Sequence, residues 1–447
     1  MGKPDGRLVR RRFLGQASFA AGAAMVLPRH VLGLGSLPPS EKINMAFVGV
    51  GGRGAANRDG LGGENCVALC DVNAKGLEEA AKKSPAAKQY RDFRKMLDEV
   101  ANSIDAVAVS TPDHFHATVI MAALKRGKAV YSEKPLAHSI GEIRTIQETA
   151  RKLKLPTQLG NQGHSSDTIR SFCEWIWDGA IGRVHTIHAQ CRSVYSEIGN
   201  HTKVKEQHPV PAHLDWDLWL GPAQLRPYNP MYEPGRWRSW SPFGTGVIGD
   251  WTCHVIDPVF WALDLGAPAT IQAQVRDYDP RVHFDTFPRG SKVTFKFPAK
   301  GARGPVTLIW YDGEEKIQPV EGLNDIPNIG AVVLGDRGGI VYGSHGAGGV
   351  KLFPDDSDKA YRRPAQKIQR IGGDHHGDFA RGIRNRSHTP GSNFDYGGAL
   401  TELALLGNIA FRYPGLELKW DPVGQKFPNC AEAKLWINPP YRKGWTL

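Results

Sequence analysis

The stretch INMAFVGVGGRG, Ile43 to Gly54, decides the fold. Ile43 to Val48 is an apolar run of strand length, and it leads directly into Gly49, Gly51 and Gly54, a G-x-G-x-x-G set with Gly52 and Arg53 inside it. Glycines so spaced make a tight turn and let a phosphate approach the backbone where a helix begins. The pattern alone is weak; placed after a strand and before a plausible helix it is informative. A second strand, Cys66 to Cys70, ends in Asp71, 17 residues beyond Gly54. A carboxylate there accepts hydrogen bonds from an adenosine ribose and repels a 2′-phosphate. Neither Val72 nor Asn73 supplies a cation, so the cofactor expected is NAD rather than NADP.

Downstream the pattern repeats. A helix over Ala74–Lys83, the apolar Met96-Leu97, a strand over Ala106–Ser110, a helix over Ala117–Lys125, a strand over Ala129–Ser132, a helix over Ile140–Leu153 and a short strand over Thr157–Leu159 follow in turn. Strands separated by helices at this interval build a parallel sheet with right-handed crossovers. Ligands gather at the carboxyl ends of such strands, where Gly49, Asp71, Thr111 and Lys134 all fall. Beyond Gly160–Ser165 and a helix over Thr168–Trp177 the pattern changes. Val184–Arg192, Ala269–Val275, Lys292–Phe297 and Val306–Tyr311 come without helices of their own, which reads as a mostly antiparallel sheet. The fold expected is an α/β Rossmann dinucleotide-binding domain over residues 41–160. An α+β domain with a large, mostly antiparallel sheet follows over 161–447, its C-terminal helices free to pack back on the first domain.

Upstream, residues 1–36 read as a signal and linker. Arg10, Arg11 and Arg12 precede the mildly apolar Ala17–Pro28, the pattern of a twin-arginine export signal. The expected location is periplasmic, or membrane-anchored by an uncleaved signal. Of the net charge of +11, this leader carries +5 through its first 30 residues. No later run of like charge offers a phosphate-tracking face, which argues against nucleic-acid binding. The apolar stretch is also shorter than the roughly 20 residues a membrane span needs, and no other segment would span. Six cysteines are few for 447 residues. Cys66 and Cys70 on one strand lie about 13 Å apart, too far to bridge, so buried free thiols are expected.

Two features of the second half bear on chemistry. In GTGVIGDWTCHVID, Gly244 to Asp257, the residues Asp250 and His254 are four apart and share a helix face. A carboxylate beside an imidazole suits proton transfer near neutral pH; a buried Asp orienting a structural His is the plainer alternative. Between Leu214 and Trp251 lie Trp216, Trp219, Trp237, Trp240 and Trp251. Indole faces suit sugars, and they equally anchor a long loop, the preferred reading for each alone. His375 and His376 read as a helix start, with no metal-ligand spacing around them.

The motifs GVGGRG (Gly49–Gly54), STPDHFH (Ser110–His116), SEKPLA (Ser132–Ala137) and GDWTCHVID (Gly249–Asp257) together resemble the glucose-fructose oxidoreductase, inositol dehydrogenase and rhizopine-catabolism family, Gfo/Idh/MocA. DWDLWLGPA (Asp215–Ala223), NQGHS and the closing YRKGW are similar to its exported subgroup. The resemblance implies hydride transfer between a sugar or polyol carbinol carbon and a nicotinamide. It implies Lys134 polarising the oxygen, His254 taking the hydroxyl proton, and Asp250 binding a neighbouring hydroxyl or orienting His254. The cofactor-binding set it implies is Gly49, Gly51, Gly52, Arg53, Gly54, Asp71, Thr111, His116, Glu133, Lys134 and Gln162. A homo-oligomer, dimer or tetramer, is also implied. Trp251-Thr252-Cys253 departs from the smaller or aliphatic residues usual there. Export away from a soluble NAD pool calls for tightly held NAD and a closed redox cycle. One alternative is therefore an NAD-dependent glycosidase working by transient oxidation, elimination, hydration and reduction. Such relatives usually lack the lysine kept here as Lys134. A sugar-binding module with a vestigial cofactor site is the third reading.

Overall fold

The computed structural model describes residues 39–447; the arginine-rich leader lies outside them. Six strands, β1 (Asn44–Val48), β2 (Asn65–Cys70), β3 (Lys88–Tyr90), β4 (Ala106–Val109), β5 (Ala129–Ser132) and β6 (Thr157–Leu159), form one sheet in the order β3-β2-β1-β4-β5-β6. Every pairing in it is parallel. The helices begin where side chains satisfy free backbone N–H groups. Asn73 caps Ala74–Lys83, Ser139 and Glu142 form a reciprocal box on Ile140–Leu153, and Ser166 caps Asp167–Trp177. β3 has no apolar run to announce it: it is three residues long and largely exposed at the sheet edge. The helix Phe93–Val100 extends well past the short apolar motif that marks it, burying Phe93, Met96, Leu97 and Val100 on one side.

The second sheet has eight strands. These are β7 (Val184–Cys191), β8 (Thr270–Arg276), β9 (Gly290–Phe297), β10 (Val306–Gly313), β11 (Ile329–Gly335), β12 (Gly338–Gly343), β13 (Gly348–Phe353) and β14 (Leu418–Lys419). Their order is β13-β12-β11-β7-β10-β9-β8-β14, antiparallel except for the central β7–β10 pair. β11 to β13 are not evident in the sequence because glycines break their apolar runs, as in Gly338-Gly339-Ile340-Val341-Tyr342-Gly343.

One cluster of buried side chains runs through both units. The helix Phe394–Ala410 packs against Ile140–Leu153 of the first unit and against the helix Gly246–Val255 of the second. Gln147 donates to the carbonyls of Phe394 and Asp395, and the Leu136 N–H donates to Thr401 Oγ1 at 3.1 Å. That last bond fixes the backbone just after Lys134 to the C-terminal helix. Among the described residues no helix is long and apolar enough to cross a membrane. All six cysteines are free.

Candidate active site

The first half of the site is a cradle at the carboxyl edge of the parallel sheet. Gly49 takes φ 80°, and a Cβ there would sit 2.6 Å from the Ser110 carbonyl; one on Gly54 would sit 1.9 Å from Gly49 O. Both must therefore be glycine. Gly51 differs, because nothing lies within 4 Å of where its Cβ would be, so its backbone faces open space. Gly52 caps the helix Arg53–Gly60 without a side-chain hydrogen bond. Its first N–H groups therefore have no side-chain cap to compete with an anion. Asp71, at the end of β2, accepts from the N–H of Val50 and of Asn73, each at 2.9 Å. Burial raises its pKa against the pull of those N–H groups. A cavity of about 250 Å³ opens here, bounded by Gly49, Gly51, Asp71, Arg91, Thr111 and, from the second unit, Glu233 and Trp237. Thr111 Oγ1 and Arg91 Nε are buried without a partner, and polar atoms so placed need an occupant.

The second half joins Lys134, from the segment after β5, to Asp250 on the helix Gly246–Val255. The Lys134 ammonium donates to Asp250 Oδ1, Tyr195 Oη donates to Oδ2 at 2.9 Å, and Arg238 Nε stands 3.7 Å from Oδ1. Burial by itself would raise the Asp250 pKa, but Lys134 and Arg238 outweigh it and hold the carboxyl below its usual range. Burial likewise works to lower Lys134; Asp250 and Glu133 overcome it and keep the ammonium charged. Lys134 is thus a fixed positive charge and donor. The expectation that Asp250 orients His254 is corrected by this geometry. A carboxylate within reach of an ammonium takes the charge-assisted bond first.

His254 is buried, and its Nδ1 has no partner. Burial, then the charges of Lys134 and His345, push its pKa well below the usual imidazole value, so the ring is neutral and free to accept a proton. Its ring stacks on His345 with centroids 4.1 Å apart, and Trp251 meets both rings edge-on at 5.8 Å. His345, Tyr195 and Arg238 escape a reading of the sequence. The glycine-rich Gly343–Gly349 around His345 was the available signal; Tyr195 and Arg238 carry none.

The expected cofactor contact from His116 is corrected. His116 is 1% exposed, with Nδ1 on Pro135 O at 2.7 Å and Nε2 on Thr111 O at 2.8 Å, so it ties two loops together. Glu133 is buried and accepts from Arg53, Asn57 and Gln162, and Gln162 also donates to Tyr131 Oη. The three bonds to Glu133 all fall on one of its carboxylate oxygens, Oε1. Asp374, rather than either histidine, caps the helix His375–Arg384; His375 accepts or donates within the core, and His376 stacks on Tyr131. The tryptophans divide. Trp216, Trp219, Trp237 and Trp240 pack in a loop core with Tyr232 and Phe243, from which Trp219 and Trp237 also line the cradle, whereas Trp251 meets the rings of His254 and His345. Among the described residues no cluster of His, Cys, Asp or Glu could hold a metal.

Comparison with known proteins matches this arrangement. Residues 43–161 fit the profile of an oxidoreductase family, NAD-binding Rossmann fold, and residues 194–322 fit its C-terminal alpha/beta domain. The chain belongs to the Gfo/Idh/MocA family. Among curated relatives, levoglucosan dehydrogenase of Pseudarthrobacter phenanthrenivorans is 25% identical over 190 residues, 42% of this chain and 40% of that protein. A glycosyl hydrolase family 109 protein of Shewanella pealeana is 25% identical over 236 residues, 44% of this chain and 52% of that one. The matches thus span about half the length of these relatives or less. Among solved structures, an inositol dehydrogenase homolog from Azotobacter vinelandii, complexed with NADH and myo-inositol, superposes with TM-score 0.57 at 15% identity, covering 85% of this chain and 98% of that one. At that identity the likeness is one of fold.

Proposed function

We propose that this Gfo/Idh/MocA protein is an NAD-dependent oxidoreductase acting on a CH–OH carbon of a sugar or polyol. The observation that carries the reading is the charged Lys134 held by Asp250, with His254 and its unpartnered Nδ1 on the same helix as Asp250 and with Arg53 of the cradle helix bonded to Glu133, the residue before Lys134. The cradle fits a dinucleotide: Gly51 leaves room for a pyrophosphate at the helix start, and Asp71 receives a ribose while opposing a 2′-phosphate. Bound NAD supplies a hydride acceptor. Lys134 donates to the substrate oxygen and stabilises negative charge as it develops. His254 removes the hydroxyl proton, a contribution of about 10² to 10⁴ in rate. Asp250 keeps Lys134 ionised and presents its remaining acceptor capacity to a neighbouring hydroxyl.

Levoglucosan and inositol relatives support sugars or polyols as the substrate class. In this reading the arginine-led leader directs twin-arginine export, the protein works in the periplasm or on an uncleaved anchor, NAD is held tightly, and the chain forms a homo-oligomer. A second reading, a redox-neutral glycosidase, draws on the likeness to the family 109 protein. A panel of sugars and polyols assayed for reduced-nicotinamide absorbance tests the first reading, and silence across it would sink that reading. Release of nitrophenol from nitrophenyl glycosides without net NADH would install the second. Mass spectrometry of the cofactor released from purified protein settles NAD against NADP.

A further inference from the structure

His345 lies outside every motif that marks this family in the sequence, yet it makes the nearest ring contact to His254. The two imidazoles are nearly parallel, 21° between planes, with Trp251 set edge-on to both. How His345 is held is informative. Its backbone is left-handed, φ 57° and ψ 57°, a conformation unfavourable for residues with side chains and tolerated best by Asn, Asp and His. Gly346 and Ala347 continue it at φ 85° and 61°. This turn is locked onto the loop that follows β6. A Cβ on Gly346 would lie 2.1 Å from Gly163 O, and one on Gly163 would lie 2.3 Å from His345 C, so the two backbones are in direct contact. Ser166 and Thr168 hydroxyls both donate to Gly346 O, at 2.9 and 2.6 Å. Ser344 Oγ pairs with His345 Nδ1 at 2.8 Å and sets the ring's rotation. An energetically poor backbone conformation is thus pinned from several sides, and its product is a flat ring over His254.

We propose that His345 is the positioning residue for His254. It is exposed, and its ring forms the solvent-side wall that orients the buried imidazole and keeps it neutral. His254 needs such a partner because no hydrogen bond to Nδ1 fixes its orientation and Asp250 is committed to Lys134. The charged or titratable groups acting on His254 are Lys134 from the segment after β5, Arg53 from the dinucleotide helix, Asp250 from its own helix, and His345. His345 is the one among them that a substitution can remove without touching the cradle or the Lys134–Asp250 pair. The proposal rests on the reading of His254 as the proton acceptor, and its test is arranged to stand apart from it.

His345→Asn and His345→Gly both suit a left-handed turn, so each removes the ring and leaves the backbone path. The imidazole resonance of His254, assigned by its loss in His254→Gln, is followed by NMR through a pH titration of the full chain. Losing the covering ring restores solvent to the buried imidazole, so the His254 midpoint rises in both variants by about half a pH unit or more. The acid limb of the kcat/KM profile moves to higher pH by the same amount, and kcat/KM falls about tenfold while NAD affinity, measured by fluorescence quenching, is unchanged. Superimposable His254 titrations in wild type and either variant overturn the proposal. The titration needs no substrate. A shifted midpoint in a protein silent on every sugar counts against the oxidoreductase reading alone, and an unshifted midpoint in an active protein counts against His345 alone.

Discussion

Asp250 and Asp257 sit seven residues apart on consecutive helices, Gly246–Val255 and Asp257–Ala262, and their surroundings could hardly differ more. Asp250 faces the site and is engaged by Lys134, Tyr195 and, further off, Arg238. Asp257 is 1% exposed and accepts from His164 Nδ1 at 3.0 Å, Asn161 Nδ2 at 3.1 Å and Tyr396 Oη at 2.5 Å. Spacing alone pairs Asp250 with His254. The fold makes a different Asp–His pair, Asp257 with His164, from 93 residues away. One carboxylate, partly exposed, is held ionised by an ammonium with Tyr195 and Arg238 beside it, and the other is buried among three donors in the core. Neighbours in space, not in sequence, decide which partners each aspartate takes.

The sharpest way to break this contrast is to remove the base on the reactive side. His254→Ala is expected to lower kcat by about 10² to 10⁴ with NAD binding retained; near-normal turnover would move proton transfer to another residue. Lys134→Ala follows, with a loss of about 10² to 10³ in kcat. It also leaves Asp250 buried without its ammonium, so equilibrium unfolding should register a cost that Lys134→Arg does not. On the inert side, Asp257→Ala strands three donors in the core. It should cost about 3 kcal/mol in urea unfolding while turnover per folded molecule holds; a selective loss of turnover would show that the two aspartates are not functionally separate. Tyr195→Phe deletes one hydroxyl on Asp250, and about 1 kcal/mol, or roughly fivefold in kcat/KM, is expected.

The smallest effect concerns pH. Asp250 has a folded pKa depressed below the ordinary value of about 3.9. Its stabilisation is therefore complete above that pH and is lost as pH falls through the depressed value. Urea midpoints followed from neutral pH to pH values below 4 should show wild type losing this increment on the acid side and Lys134→Ala lacking it. A mutant curve parallel to wild type would mean that Lys134 does not set the Asp250 pKa.

Much of the first unit was legible because its signals are local. The helices Ala74–Lys83 and Ile140–Leu153 and the strands Ala129–Ser132 and Thr157–Leu159 have the bounds their sequence patterns indicate, since caps, apolar runs and glycines act within a few residues. Gly49, Gly51, Asp71 and Thr111 line one cavity as their places at strand ends imply. His116 was misjudged because a polar residue near a motif can face either the ligand or the scaffold, and only its hydrogen-bond partners tell which.

The sequence by itself determined the parallel sheet with its glycine turn, the antiparallel domain after it, and the chemical types at hand: a lysine after β5 and an aspartate and histidine on one helix. Apolar periodicity and backbone sterics operate over short separations, so those features need no tertiary information. What only the tertiary structure decided is who pairs with whom. Lys134 meets Asp250 across 116 residues, and His345 reaches His254 from a left-handed turn beyond the glycine-broken strand β12. Ion pairing and desolvation depend on distances of a few ångströms between segments far apart in the chain, and those distances exist only once the helix Phe394–Ala410 has drawn the two units into one core.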